Sequence, residues 1–302
     1  MGRHRDNGRV DRAQPGGKVV RPLCVDLDGT LIYTDVLFES AALLLRRKPW
    51  LAFAMGLWLA RGKAHMKREI ADRVSLDAAL LPYNEDFVEW ATAEHDRGRR
   101  VVLATASDEL LANAIAKHLP IFDAVIGSDG TTNRKGAGKL ETLTQLYGRA
   151  FAYAGNSSSD LAIWQGCDEA IVVNASAATS KAARALGTVT KEFPAQRLTY
   201  AMVRQVLRVR VCQAILVAAI PPTMLTQNSK WAAAALALCC LLSGGFIMRD
   251  LFSLQQDRQS RRLATRPIAS GTFPISVAFF LGPALIALGL VGAMYVAAKS
   301  LR

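Results

Sequence analysis

Leu23-Cys24-Val25-Asp26-Leu27-Asp28-Gly29-Thr30-Leu31 is the stretch on which the fold turns. An apolar run of strand formers, Val19, Val20, Leu23, Cys24 and Val25, stops at two carboxylates two residues apart, followed by a glycine and a hydroxyl. Residues i and i+2 of an extended strand point the same way, so Asp26 and Asp28 converge on one point only where the strand ends and the chain turns. Gly29 supplies that turn. Two carboxylates this close repel unless a cation lies between them, and a hard, oxygen-ligated ion such as Mg²⁺ is the natural candidate. Taken alone, the same residues also describe a solvated turn after a strand, so the rest of the chain decides.

Downstream, strand and helix patterns alternate. Arg100 to Thr105 has the composition of a strand, and Ser107 or Asp108 caps a helix running to about His118. Ile121 to Ile126 is a short strand, Gly138 to Tyr147 a helix, Phe151 to Ala154 a strand, and Ala170 to Val173 another. Such alternation implies an α/β fold, a Rossmann-like parallel sheet covered on both faces, with ligands at the carboxyl ends of the strands. Between Leu31 and Arg99 lies a helical insert. Its segment Pro49 to Ala60 is too short to cross a bilayer and fits either a buried cap helix or an interfacial one, since Arg46, Arg47, Lys48, Arg61 and Lys63 flank it. Asp35 and Glu39, at the start of the insert, are expected as exposed acids on a helix face.

Thr105 ends the second strand, Lys139 opens a helix, and Asn156 and Asp160 follow the strand Phe151 to Ala154. Each has an ordinary explanation as a cap or surface residue; together, in this order at strand ends, they form a constellation. Over residues 18 to 193 the chain resembles the haloacid dehalogenase superfamily of phosphatases, through Asp26-Leu27-Asp28-Gly29-Thr30, Thr105, Lys139 and Gly155-Asn156-Ser157-Ser158-Ser159-Asp160. The resemblance implies Asp26 as nucleophile, Asp28 as general acid and base, and Thr105 and Lys139 as ligands of the phosphoryl group. It also implies Mg²⁺ held by Asp26, the backbone carbonyl of Asp28, Asn156 and Asp160. The family often has aspartate where this chain has Asn156, which ligates through its amide oxygen but brings no charge. Mn²⁺ suits the same oxygens. Lys135 is the rival to Lys139, and the helical insert stands where the family places its substrate-selecting cap, about residues 31 to 99.

The 302 residues are 51% hydrophobic with a net charge of +12, and the apolar excess lies almost wholly after about residue 210. The basic segment 1 to 17 is expected to be a disordered tail; with no interleaved aromatics it does not suggest nucleic acid, and its alternatives are an anionic lipid surface or no partner. Five cysteines without metal-ligand spacing read as small buried residues in a reducing compartment, and the charged N-terminal segment, lacking an apolar run, is not expected to act as a secretory signal. Residues 194 to 210 fit a basic amphipathic linker, and three membrane spans are expected at about 211–226, 231–248 and 273–298, the first short and carrying Pro221-Pro222. Arginines in the loop between the last two spans place it, and hence the N-terminal domain, on the cytoplasmic side of the cell (inner) membrane.

That loop, with Asp250, Asp257 and Arg266-Pro267-Ile268-Ala269-Ser270-Gly271, resembles part of the first diphosphate-binding signature of the UbiA family of intramembrane prenyltransferases. Arg249 and Ser253 stand where the family has Asn and Asp. The family has more spans than 302 residues hold here, so prenyl transfer would need a partner chain or a longer gene product. The expectation is a membrane-tethered, Mg²⁺-dependent phosphomonoesterase acting on a phosphorylated small molecule or a lipid-linked, polyprenyl phosphate. The alternatives are a component of a prenyltransferase, with the loop as candidate diphosphate site, and a non-catalytic membrane scaffold.

Overall fold

A computed structural model describes residues 21–132, 134–219 and 229–300. The expected tail 1–17 and much of the expected span 211–226 lie outside these residues. In chain order the elements are β1 (Leu23–Val25), α1 (Val36–Arg47), α2 (Leu51–Ala60), α3 (Lys63–Ala71), α4 (Glu85–Asp96), β2 (Val101–Asp108), α5 (Glu109–His118), β3 (Ala124–Ser128) and α6 (Ala137–Tyr147). There follow β4 (Ala152–Gly155), α7 (Leu161–Gly166), β5 (Glu169–Val173), α8 (Ala177–Arg184), β6 (Val189–Phe193), α9 (Tyr200–Val206) and α10 (Val209–Ala219). The chain closes with α11 (Ser229–Phe252), α12 (Leu254–Gln259) and α13 (Ile275–Ser300).

The six strands form one parallel sheet in the order β3-β2-β1-β4-β5-β6. β1 sits at its centre with β2 on one side and β4 on the other, so the strand order reverses there and a crevice opens beyond its carboxyl end. The two-residue period of β1 is visible in its packing. Leu23 and Val25 join the core cluster on one face, and Cys24 joins the cluster of Tyr153, Trp164 and Cys167 on the other. β6 was not anticipated, because only Val189 and Phe193 of its five residues are apolar and it lies at the sheet edge.

Four expectations change. The insert above the site is α1 to α3 alone, since α4 buries Phe87 and Ala91 in the sheet core. β2 runs three residues past Thr105. No residue of α2 is buried, which removes the reading of a buried cap helix. Glu39 is not an exposed acid: it is 3% exposed and pairs with Arg258 of α12.

α11 and α13 are long and apolar enough to cross a membrane. They pack as an antiparallel pair at very short range, where a Cβ on Gly244 would meet the Gly282 carbonyl at 2.7 Å and one on Gly289 the Ala237 carbonyl at 2.8 Å. The base of this hairpin is joined to the α/β domain. Arg258 donates to both Glu39 oxygens, at 2.8 and 2.5 Å, and to the Ala269 carbonyl at 2.6 Å. The rings of Phe38 and Phe279 meet edge-on with centroids 5.3 Å apart.

A buried carboxylate stripped of its cation is costly, about 3–5 kcal/mol. Arg258→Ala is therefore expected to lower unfolding stability in detergent by about that much, whereas Glu39→Gln with Arg258→Met should recover most of the loss. A single-variant loss below about 1 kcal/mol would mean that water reaches the pair.

Candidate active site

The candidate site is built on the turn after β1. Asp26 donates its backbone N–H to the Ala154 carbonyl and so remains in register with β4, while Gly29 adopts φ +77 and lets the chain reverse toward Leu31. The reversal is tight: a Cβ on Gly29 would lie 2.0 Å from Asn156 Nδ2. Asn156 thereby stands directly over the end of β1, brought there by the loop after β4.

Lys139, in the first turn of α6, is 3% exposed and donates to Asp26 Oδ1 at 2.6 Å and to the Tyr153 hydroxyl at 2.7 Å. Tyr153 in turn donates to Asp160 Oδ1 at 3.1 Å. Lys135 lines the same cavity, but it is Lys139 that reaches Asp26. Asp160 is fully engaged. Its Oδ2 accepts from the Asn156 and Ser157 N–H groups and the Ser157 hydroxyl, at 3.1, 2.9 and 3.0 Å, which fixes the loop that presents Asn156.

Asp28 points the other way. Its Oδ1 accepts the Val36 N–H at 2.8 Å and its Oδ2 the Ser107 hydroxyl at 2.6 Å. Ser107 was passed over in the sequence reading in favour of Thr105. Thr105 is completely buried, and its hydroxyl oxygen accepts the Ser107 N–H at 3.0 Å, so the hydroxyl facing Asp28 is that of Ser107. Tyr153 was also missed, because an aromatic in a central strand is indistinguishable from core by pattern alone.

Burial sets the electrostatics. It raises Asp26 to about 6, against the opposing pull of Lys139 and with a further push from Asp160. It raises Asp28 to about 7, with Asp35 adding to the rise and the Ser107 and Val36 hydrogen bonds opposing it. Tyr153 is pushed well above its ordinary value by burial and then by Asp26 and Asp160. The residues enclose a cavity of about 740 Å³ whose floor is polar and whose far wall is apolar.

The donor set fits a hard cation: carboxylate oxygens of Asp26 and the amide oxygen of Asn156 line the cavity with Asp28, Asp35 and Asp160, and Lys63, Lys67, Lys135 and Lys139 supply the counter-charges. Among the described residues no three His, Cys, Asp or Glu side chains stand close enough to hold a metal by themselves. A cation here would have to take its remaining oxygens from Asn156 and the backbone. Asp250 and Asp257, the candidate diphosphate loop, lie elsewhere and are already paired. Asp250 meets Arg208, Arg249 and Arg266 at 2.9, 2.8 and 3.1 Å, and Asp257 meets Arg266 at 2.9 Å.

Residues 23–165 match the family model for haloacid dehalogenase-like hydrolases. This HAD-like hydrolase domain is followed by the two apolar helices. A protein of unknown function from Bordetella pertussis Tohama I aligns at TM-score 0.46 and 17% identity, covering 58% of this chain and 99% of its own. A substrate-bound phosphoserine phosphatase aligns at TM-score 0.41 and 12% identity, covering 64% and 99%. The uncharacterized protein y4nM of Sinorhizobium fredii is 28% identical over 285 residues, 89% of this chain. The chain spans 54% of that relative's length.

A hydrogen bond to the ionised form of a carboxyl lowers its pKa, so removing the donor raises it. In Ser107→Ala the Asp28 carboxyl, followed by its ¹³C shift in metal-free protein, should titrate higher than in the parent. A midpoint that stays or falls would show that Ser107 does not donate to the carboxylate.

Proposed function

We propose that the chain is a membrane-tethered, Mg²⁺-dependent phosphomonoesterase that works through an aspartyl-phosphate. One observation carries this reading: two carboxylates two residues apart at the end of β1 are given different partners, a buried ammonium for Asp26 and the Ser107 hydroxyl with the Val36 N–H for Asp28. Asp26 lies against a buried ammonium that favours its ionised form, and Asp28 is raised to about 7, where it holds a proton for part of the time near neutrality.

An Asp26 oxygen attacks phosphorus in line, and the P–O bond to the alcohol breaks. Asp28 gives its proton to the departing alkoxide. Water then attacks the phosphorus of the aspartyl-phosphate, the P–O bond to Asp26 breaks, and Asp28 takes up the proton that water loses. Lys139 stays beside the transferring group and offsets its charge, Ser107 orients Asp28, and Asp160 with Tyr153 holds Lys139 and the Asn156 loop in place. Thr105, whose hydroxyl oxygen accepts the Ser107 N–H, fits a support for that turn rather than a direct contact to the phosphoryl group. A bound Mg²⁺, held by Asp26, the Asp28 carbonyl and Asn156, would neutralise the non-bridging phosphoryl oxygens.

The membrane assignment is supported by what the two long helices leave exposed. Only 33% and 22% of their apolar windows are buried within the chain, too little for core helices of a soluble protein. Their shared base holds Arg249, Arg258, Arg261, Arg262 and Arg266 and is clasped to the catalytic domain, which favours a cytoplasmic position for both at the inner membrane. A catalytic domain held against a bilayer fits a lipid-linked phosphate, of the polyprenyl kind, better than a freely diffusing ester. The prenyltransferase reading is weaker, because Asp250 and Asp257 are each neutralised by arginine.

Phosphate release by the detergent-solubilised full chain, with and without Mg²⁺, checks the reading against a panel of soluble and lipid phosphomonoesters. Asp26→Asn should lose about a thousandfold or more in kcat, as expected for removal of a nucleophile. Turnover that survives this change, or that is indifferent to chelation of divalent ions, would refute the mechanism.

A further inference from the structure

The far wall of the active-site cavity is not built by the HAD-like domain alone. Phe279 and Phe280, in the second turn of α13, line it together with Phe38 of α1 and Met55 and Leu59 of α2. The three phenylalanines interlock, with Phe38 centroids 5.3 and 5.9 Å from those of Phe279 and Phe280. A helix of membrane-spanning composition therefore contributes directly to the cavity that holds Asp26 and Asp28.

α2 faces that helix across the cavity and is itself unusual. Its ten residues, Leu-Ala-Phe-Ala-Met-Gly-Leu-Trp-Leu-Ala, carry no charge, and not one is buried by the rest of the chain. Phe53 is 85% exposed and Leu57 71%. Such a helix in water forfeits several kcal/mol of burial, about 1.5–3 for each large side chain. Exposed Arg46, Arg47 and Lys48 precede it and exposed Arg61 and Lys63 follow it, an arrangement that suits anionic head groups around an apolar helix lying in the interface. It is also continuous with the membrane-facing surface. Met55 and Trp58 of α2 pack in one cluster with Phe279, and the neighbouring Phe280 is 66% exposed.

We propose that α2 lies in the head-group region of the leaflet that α13 enters, and that the slot between them admits the hydrophobic chain of a bilayer-resident phosphomonoester. Met55 and Leu59 form one side of the slot, and Phe279 and Phe280 the other. The phosphate reaches Asp26 from the membrane side while the chain remains among lipid and phenylalanine. The proposal rests on the phosphomonoesterase reading for its chemistry, but the placement of α2 stands independently of it.

Two readouts on the full chain in vesicles of mixed zwitterionic and anionic phospholipid test it. First, the emission that Phe53→Trp adds to the parent should be quenched by at least about half when the acyl chains are brominated, as for a side chain at interfacial depth. Emission left unquenched, whether because water, a second copy or another protein covers α2, overturns the placement. Second, kcat/KM is compared for a long-chain and a short-chain alkyl phosphate and read as their ratio, which cancels any loss common to both. Phe280→Ala and Leu59→Ala should each lower the ratio about tenfold, the effect of removing a few buried methylene contacts. An unchanged ratio overturns the slot. Hydrolysis of neither ester by the parent would count against the catalytic reading itself, and the quenching result would still decide the position of α2.

Discussion

Buried negative charge at the carboxyl end of β1 is the constraint on which the rest of the structure depends. Asp26, Asp28, Asp35 and Asp160 all line one cavity, and burial is the largest cause of the raised pKa of the first three. Isolated carboxylates in such a place would simply protonate. Each is instead given a partner by a different element: Lys139 by α6, Ser107 by the end of β2, the first N–H groups of α1 for Asp28 and Asp35, and the loop after β4 for Asp160. The parallel order with β1 at the centre is what allows four separate segments to reach one point. The fold is, in this sense, a device for holding carboxylates together without letting them all neutralise.

The second organising contact joins that site to the apolar hairpin. Glu39 stands one turn along α1 from Asp35, the N-cap that anchors the helix beside Asp28. Its bidentate pairing with Arg258 therefore ties the base of the hairpin to the helix that starts at the active site. Phe38, between them, carries the contact to Phe279. Position of the hairpin and shape of the cavity are consequently one property. A bilayer holding α11 and α13 would also fix the direction from which substrate arrives.

How much of this was legible depended on whether a residue's partner was near in sequence. The strand-end aspartates, the glycine turn and the sheet class could be read because backbone geometry itself dictates the residue types. Lys139 could be preferred over Lys135 from its place at a helix start, and it is the lysine that meets Asp26. Ser107 was overlooked because Thr105 fitted the motif, and only the continuation of β2 shows which hydroxyl turns toward Asp28. Glu39 read as a surface acid because its partner lies 219 residues away, a pairing that helix periodicity cannot reveal. α2 was open to two readings for a related reason: an apolar helix buried in protein and one laid in lipid have the same composition, and only the packing around it separates them.

The most direct test of the account is chemical capture of the covalent intermediate. Turnover of a long-chain alkyl phosphate by the full chain in vesicles is quenched in acid, the acyl phosphate is reduced with borohydride, and the modified position is located by peptide mass spectrometry. Homoserine is expected at position 26, dependent on added substrate, and none at position 28. Modification at another carboxylate, or none during confirmed turnover, would contradict an aspartyl-phosphate at the end of β1.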